Sequence, residues 1–372
     1  MQYRKFGKTG IEVSALGFGC MRLPLTNPED NTSIDEPEAI KMIRTAIDQG
    51  INYIDTAYPY HSKMSELLVG KALQDGYREK TYIATKLPVW LVKEEADFDR
   101  FLDEQLEKLQ TDHIDFYLLH ALDKNRWKTV LECNLLHKLE EAKKAGKIRY
   151  GGFSFHDDLD TFKMIVDGYD KWDFCQIQFN YINLDYQAGV EGLEYAASKG
   201  LGVIIMEPLL GGKLANPPIQ VKKILPNTKT PVEWALNFLW NRPEVSLMLS
   251  GMSNMQQTKD NLEYADKSSV GMLTEEDLTM LKKAKHVYDN MAVVPCTKCA
   301  YCMPCPFGLD IPKTFEAYNK TATVGKVKAK EYYDTIEVKA ESCKKCHHCE
   351  KECPQHIGIS DLMTEIVGVF AE

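Results

Sequence analysis

Between Ala15 and Tyr264, eight short apolar runs alternate with longer amphipathic stretches, and few folds accommodate that order. The runs are Ala15–Gly19, Asn52–Asp55, Thr81–Lys86, Ile114–His120, Ile148–Phe153, Phe174–Gln178, Gly202–Met206 and Ser246–Leu249. Helical candidates separate or follow them at Pro37–Gln49, Ser62–Leu73, Glu94–Leu109, Thr129–Ala145, Asp157–Asp167, Val190–Ser198, Pro231–Trp240 and Met255–Tyr264. Strict βα alternation places helices outside a parallel sheet, which is the α/β class. Eight units of each fit a closed (β/α)8 TIM barrel better than an open doubly wound sheet. The open sheet also lacks its signature, because GFGCMR at Gly17 to Arg22 is a poor substitute for a G-x-G-x-x-G turn. Gln2–Val13 alternates around Lys8-Thr9-Gly10 and reads as a hairpin that closes the barrel bottom. A further helix is expected over Leu273–Asn290, starting at T-E-E-D. The expected domains are therefore a barrel over 1–290 and a small α-helical domain over 291–372.

Charge narrows the partners. A net charge of -9 and a pI near 5.6 argue against a nucleic-acid surface or a basic membrane anchor, leaving small-molecule chemistry. No apolar run approaches the roughly 18 residues of a membrane span. MQYRKFGKTG has no signal-peptide core, so the expected location is the cytoplasm.

Barrel enzymes carry catalytic groups at the C-terminal ends of strands. Here Asp55 ends I-N-Y-I-D, Lys86 ends Y-I-A-T-K, His120 ends F-Y-L-L-H, and Gln178 with Asn180 ends Q-I-Q-F-N. Tyr58 and Tyr60 follow Asp55. A phenol beside a lysine that is paired with a carboxylate suits general-acid work, because the ammonium favours the phenolate. Taken singly, Asp55 could cap a turn, Lys86 could be a solvated strand end, and His120 a core histidine; their joint placement is what points to catalysis.

With these residues in view, the chain resembles the aldo-keto reductases over about residues 1–290. Asp55-Thr56-Ala57-Tyr58-Pro59-Tyr60 with Ser65-Glu66 and Gly70 is similar to that family's D-T-A-x-x-Y…S-E…G block, and Ala84-Thr85-Lys86 and Asp115–His120 to its lysine and histidine blocks. The resemblance implies a catalytic tetrad of Asp55, Tyr60, Lys86 and His120, with Tyr58 in the pocket. It also implies NADP(H) or NAD(H) as cofactor and an aldehyde, ketone or alcohol as substrate. Gly146–Ser154 looks like the G-K-I-R…G-x-S strand, which implies Ser154, together with Gln178 and Asn180, near the carboxamide. Met206 stands where many members stack an aromatic on the nicotinamide; a thioether packs less rigidly. Ser250 and Gly251 open a segment through Gln257 that lacks the lysine and arginine of NADPH-preferring members, although Asn261 is kept.

Eight of the 11 cysteines lie between Cys296 and Cys353, where the strand–helix alternation has stopped. Clustered thiols in a cytosolic chain signal metal or redox chemistry. Cys296-x2-Cys299-x2-Cys302-x2-Cys305-Pro306 is followed by Cys343-x2-Cys346-x2-Cys349-x3-Cys353-Pro354. Paired C-x2-C units also build four-thiolate zinc sites, but eight cysteines exceed what one zinc ribbon needs. The repeat resembles bacterial ferredoxins. That resemblance implies two [4Fe–4S] clusters, one on Cys296, Cys299, Cys302 and Cys353, the other on Cys343, Cys346, Cys349 and Cys305. His347, His348 and His356 read as loop histidines.

Three functions compete: a carbonyl reductase carrying clusters, a sensor that reads nicotinamide redox state, and a ferredoxin-linked electron-transfer protein served by a ferredoxin-type carrier. The intact tetrad favours the first. No flavin signature is present to couple two-electron hydride chemistry to one-electron clusters. The clusters are therefore expected to hold together a small domain with little apolar core of its own.

Overall fold

The computed structural model describes residues 1–291 and 294–371. A two-stranded hairpin, β1 (Tyr3–Lys5) and β2 (Glu12–Ser14), precedes eight parallel strands. These are β3 (Leu16–Gly19), β4 (Tyr53–Asp55), β5 (Tyr82–Leu87), β6 (Ile114–Leu122), β7 (Ile148–Phe155), β8 (Phe174–Gln178), β9 (Gly202–Met206) and β10 (Leu247–Gly251). They close a barrel in sequence order, β10 pairing with β3. The strands are apolar on both faces because one face fills the barrel and the other meets helices.

The bottom of the barrel is plugged by the hairpin, as its alternation predicts. Phe6 lies 5.0 Å from the Phe116 ring and 5.7 Å from Phe174. It approaches β9 so closely that a Cβ on Gly202 would lie 2.5 Å from the Phe6 ring. Burying this aromatic cluster stabilises the closed end by several kcal/mol, at roughly 25 cal/mol per Å² of apolar surface. The opposite rim gathers the strand ends. Register pairs Gly19 with both Asp55 and Gly251, Ser154 with Gln176, and Gln178 with Met206.

Two helices differ from expectation. Thr129–Ala145 is not one helix but two, Lys124–Glu132 and Leu135–Lys144, broken at Asn134 with φ 54°. Asparagine tolerates this left-handed conformation, and the apolar period continues across the break, which conceals it in sequence. The helix expected from Ser62 begins at Ser65, after a short 3-10 turn, Tyr60–Lys63, in which His61 and Ser62 have φ of 49° and 52°.

The chain divides into two compact units, Met1–Pro208 with Glu233–Thr274, and Leu209–Val232 with Glu275–Glu372. The expected boundary at 290/291 abuts Ala292 and Val293, which lie outside the described residues. The second unit carries the helices Glu275–Met291, Ile311–Val324, Lys326–Asp334 and Ile359–Ala371. It is not poor in apolar core, contrary to expectation. Leu309, Ile311, Phe315, Met363, Ile366 and Phe370 are buried together, and Tyr333 stacks on Phe370 at 4.3 Å. These residues form one face only when separate helices pair, so no single segment announces them. Among the described residues no helix is long and apolar enough to cross a membrane.

Candidate active site

Asp55 and Lys86 are adjacent in the barrel because β4 and β5 pair in parallel. The Lys86 Nζ donates to Asp55 Oδ2 at 2.7 Å and to the Thr56 carbonyl at 2.7 Å, and both side chains are buried. Burial pushes the Asp55 carboxyl up, and the lysine pulls it back down. Removing either partner would leave a buried charge uncompensated, a cost of about 3–5 kcal/mol. The same Nζ lies 5.1 Å from the centre of the Tyr60 ring. Across from it, the Tyr60 and His120 rings meet edge to face at 6.4 Å. All four tetrad residues thus share one buried rim site. Tyr58 does not. Its ring packs on Phe101 at 5.2 Å and its hydroxyl donates to Glu104 at 3.3 Å, which places it against the helix Ala96–Leu109 and not in the pocket.

The strand ends are held from behind by a network that the sequence does not announce. Gln105 donates to the Lys86 carbonyl at 3.0 Å and to Glu66 at 2.6 Å, while Thr85 donates to Glu66 at 2.7 Å and Tyr117 to Gln105 at 2.8 Å. Its one sequence signal is a lone amide on the apolar face of a helix. Past His120 the β6–β7 ladder shifts register, and Ala121 takes φ 56°. Such a bulge re-aims a side chain. The displaced Ala121 N–H donates to Ser154 Oγ at 2.7 Å, so Ser154 also stabilises the bend that presents His120. Trp90, unremarked in the sequence, lies 5.0 Å from the His120 ring.

Burial first, then Lys86, His156 and Arg126, hold the His120 imidazole well below its ordinary pKa, so it is neutral near pH 7. His61 is also lowered by burial, partly offset by the Asn31 carbonyl. Its Nε2 accepts from Leu23 N–H at 3.1 Å and its Nδ1–H donates to Asn31 O at 3.0 Å, an arrangement that needs the neutral ring. In the unfolded chain both histidines protonate near pH 6.5. Below that pH the unfolded state binds more protons, so the stability present above it is lost on acidification, by up to about 1.4 kcal/mol per pH unit for each histidine. Urea midpoints should fall between pH 7.5 and 5.5, and His61→Gln should flatten that slope. Equal slopes for both proteins would contradict the assignment.

The remaining rim residues form a shallow arc of polar and soft groups. Gln178 is buried at the end of β8. Asn180 is committed to its own loop, donating to Glu207 O and accepting from Ile182 and Asn183 N–H, all at 3.0 Å. Met206 Sδ accepts from Gln176 at 3.6 Å, and Asn261 donates to Ser250 Oγ at 2.9 Å. Beyond Gly251 begins the helix Met255–Asp266, with no acid in its first turn. Arg22, which reading residues 250–257 alone misses, lies against Gly251: a Cβ there would meet its side chain at 3.3 Å. A hydroxyl, amides, a thioether, an arginine and a helix N-terminus are the kinds of group that a nicotinamide dinucleotide takes.

The eight clustered cysteines line two pockets. Cys296, Cys299, Cys302 and Cys353 surround one, with Ile311, Phe315 and Ile359 behind them. Cys305, Cys343, Cys346 and Cys349 surround the other. Burial first, then the neighbouring thiols, pushes the Cys302 thiol up, and burial with Glu350 and the neighbouring thiols pushes Cys349 up to about 11. No three described His, Cys, Asp or Glu side chains converge as a single-ion site requires. Four sulfurs spread around a pocket fit a cubane, which takes one thiolate per iron, better than one zinc ion.

Known proteins bear the same features. A 4Fe-4S dicluster domain matches residues 295–357. L-galactose dehydrogenase of Arabidopsis thaliana is 28% identical over 73% of this chain and 91% of its own. Aldo-keto reductase YhdN of Bacillus subtilis is 35% identical over 45% of this chain and 51% of its own. The solved structure of aldo-keto reductase AKR11C1 from Bacillus halodurans superposes with a TM-score of 0.63 at 26% identity, covering 76% of this chain and 96% of that one. With the Aldo/keto reductase family matching residues 15–285, and a closed eight-stranded barrel carrying Asp55, Tyr60, Lys86 and His120 on one rim, the chain belongs to the aldo/keto reductase family.

Proposed function

We propose that the protein reduces an aldehyde or ketone to an alcohol, or runs the reverse, with Tyr60 as general acid. The observation that carries this reading is the buried Asp55–Lys86 pair at 2.7 Å beside the Tyr60 ring, faced by a neutral His120. NADP(H) or NAD(H) would be held by Ser154, Gln178, Asn180, Met206, Ser250, Gly251 and Asn261. When bound, the reduced nicotinamide supplies the hydride. Tyr60 gives its hydroxyl proton to the carbonyl oxygen, and the Lys86 ammonium, kept charged by Asp55, stabilises the phenolate that remains. His120 orients the carbonyl oxygen by hydrogen bonding. Ser154, whose oxygen already accepts from Ala121, has a hydroxyl proton to give to the cofactor amide.

Cys296, Cys299, Cys302 and Cys353 would hold one [4Fe–4S] cluster, and Cys305, Cys343, Cys346 and Cys349 the second. The apolar core of the second unit weakens the reading in which the clusters serve structure alone. Electron delivery from a ferredoxin-type carrier gains support from Cys346, which is exposed beside the half-open ring of Phe307. The test is anaerobic turnover of aldehydes with each nicotinamide: steady reduction at chemical stoichiometry supports the enzyme reading, and cofactor binding without turnover supports the sensor.

A further inference from the structure

Arg126 stands beside the tetrad with no part in the chemistry above. Asp123 caps the helix Lys124–Glu132 with its Oδ1, and the chain thereby folds the arginine back towards the β6 end. Arg126 Nη1 donates to the Ala121 carbonyl at 2.9 Å and lies 3.1 Å from Asp123 Oδ2. The guanidinium carbon sits 5.6 Å from the centre of the Trp90 ring, and that ring is 5.0 Å from His120. One nitrogen is therefore anchored to the residue next to His120. Among the described residues, Nε and Nη2 have no acceptor. A loop clamp would need only the anchored nitrogen.

The Nε and Nη2 pair forms the edge of a guanidinium that grips a carboxylate through two parallel hydrogen bonds. Lys86 and Asp55 balance each other, and Asp123, shared between two backbone N–H groups and one arginine nitrogen, meets Arg126 only through Nη1. The Nε and Nη2 edge is therefore the part of this guanidinium left for a second carboxylate. Trp90 between the two sites offers an apolar face for the chain that joins them.

We propose that the substrate is a carbonyl compound that also bears a carboxylate, received by the Nε and Nη2 edge of Arg126 while the carbonyl lies at Tyr60 and His120. This inference rests on the carbonyl-reduction reading. Its test compares 4-carboxybenzaldehyde with its uncharged methyl ester in the full-length protein with NADPH or NADH. The acid should be preferred by roughly 10- to 100-fold in kcat/KM, the range of a charge-assisted pair, mostly through KM. Arg126→Gln should collapse the acid-to-ester ratio towards one, and Arg126→Lys should restore part of it, since the charge returns without the fork. Added salt should shrink the wild-type ratio. Reduction of both compounds without preference, or a preference that survives Arg126→Gln, overturns the inference and leaves carbonyl reduction standing. Reduction of neither overturns both.

Discussion

Tyr60→Phe should lower kcat by roughly two to four decades, the range of a lost general acid, while nicotinamide binding measured by fluorescence titration stays within a few-fold of wild type. The phenyl ring keeps the edge-to-face contact with His120 and the lysine beneath it, so only the proton is removed. Tyr58→Phe is the internal control. Its hydroxyl touches Glu104 on the helix Ala96–Leu109, so its loss should cost far less than a decade. If Tyr60→Phe retains near wild-type turnover, the tetrad assignment is wrong.

Iron analysis should show a comparably large step. The anaerobically purified protein should hold about eight irons and eight acid-labile sulfides, the content of two cubanes. Cys302→Ser should weaken the site formed with Cys296, Cys299 and Cys353, and Cys349→Ser the site formed with Cys305, Cys343 and Cys346. Each variant should therefore lose about half the iron and sulfide. Because Phe315, Met363 and Ile366 also pack on one another and on Phe370 and Tyr333, away from the thiols on one side, the helices around them should largely survive chelation, with new proteolysis concentrated in the cysteine-bearing loops. Stoichiometric zinc without labile sulfide would overturn the cluster assignment.

Most of the barrel is legible in the sequence because each strand is a short, largely apolar run set off from its neighbours by amphipathic helices. β8 and β9 fall at the expected limits for that reason. Asp55, Lys86 and His120 are legible because each is a polar group interrupting or ending an apolar run at the rim. What stays hidden depends on contacts between distant segments. Gln105 is one amide in an amphipathic helix until folding brings it to the Lys86 carbonyl. Arg126 sits in the first turn of the helix Lys124–Glu132 and Trp90 in a short 3-10 turn after β5, and neither position marks it as a neighbour of His120 until the two strand ends come together. Tyr58 and Tyr60 are two residues apart and chemically alike, yet the intervening Pro59 and the turn after it send one ring to a helix and the other to the lysine. The core of the second unit escapes notice because its apolar residues are split among helices and the cysteine spacing dominates the reading.

The turnover assay becomes most direct when run once per enzyme molecule with nicotinamide deuterated at C4 on one face. One stereoisomer of the labelled cofactor should deliver a single deuterium to the former carbonyl carbon, with solvent hydrogen only on the oxygen, and Tyr60→Phe should slow this transfer by decades. Solvent hydrogen at that carbon, or label transfer at the wild-type rate in Tyr60→Phe, would contradict direct hydride reduction with Tyr60 as the acid.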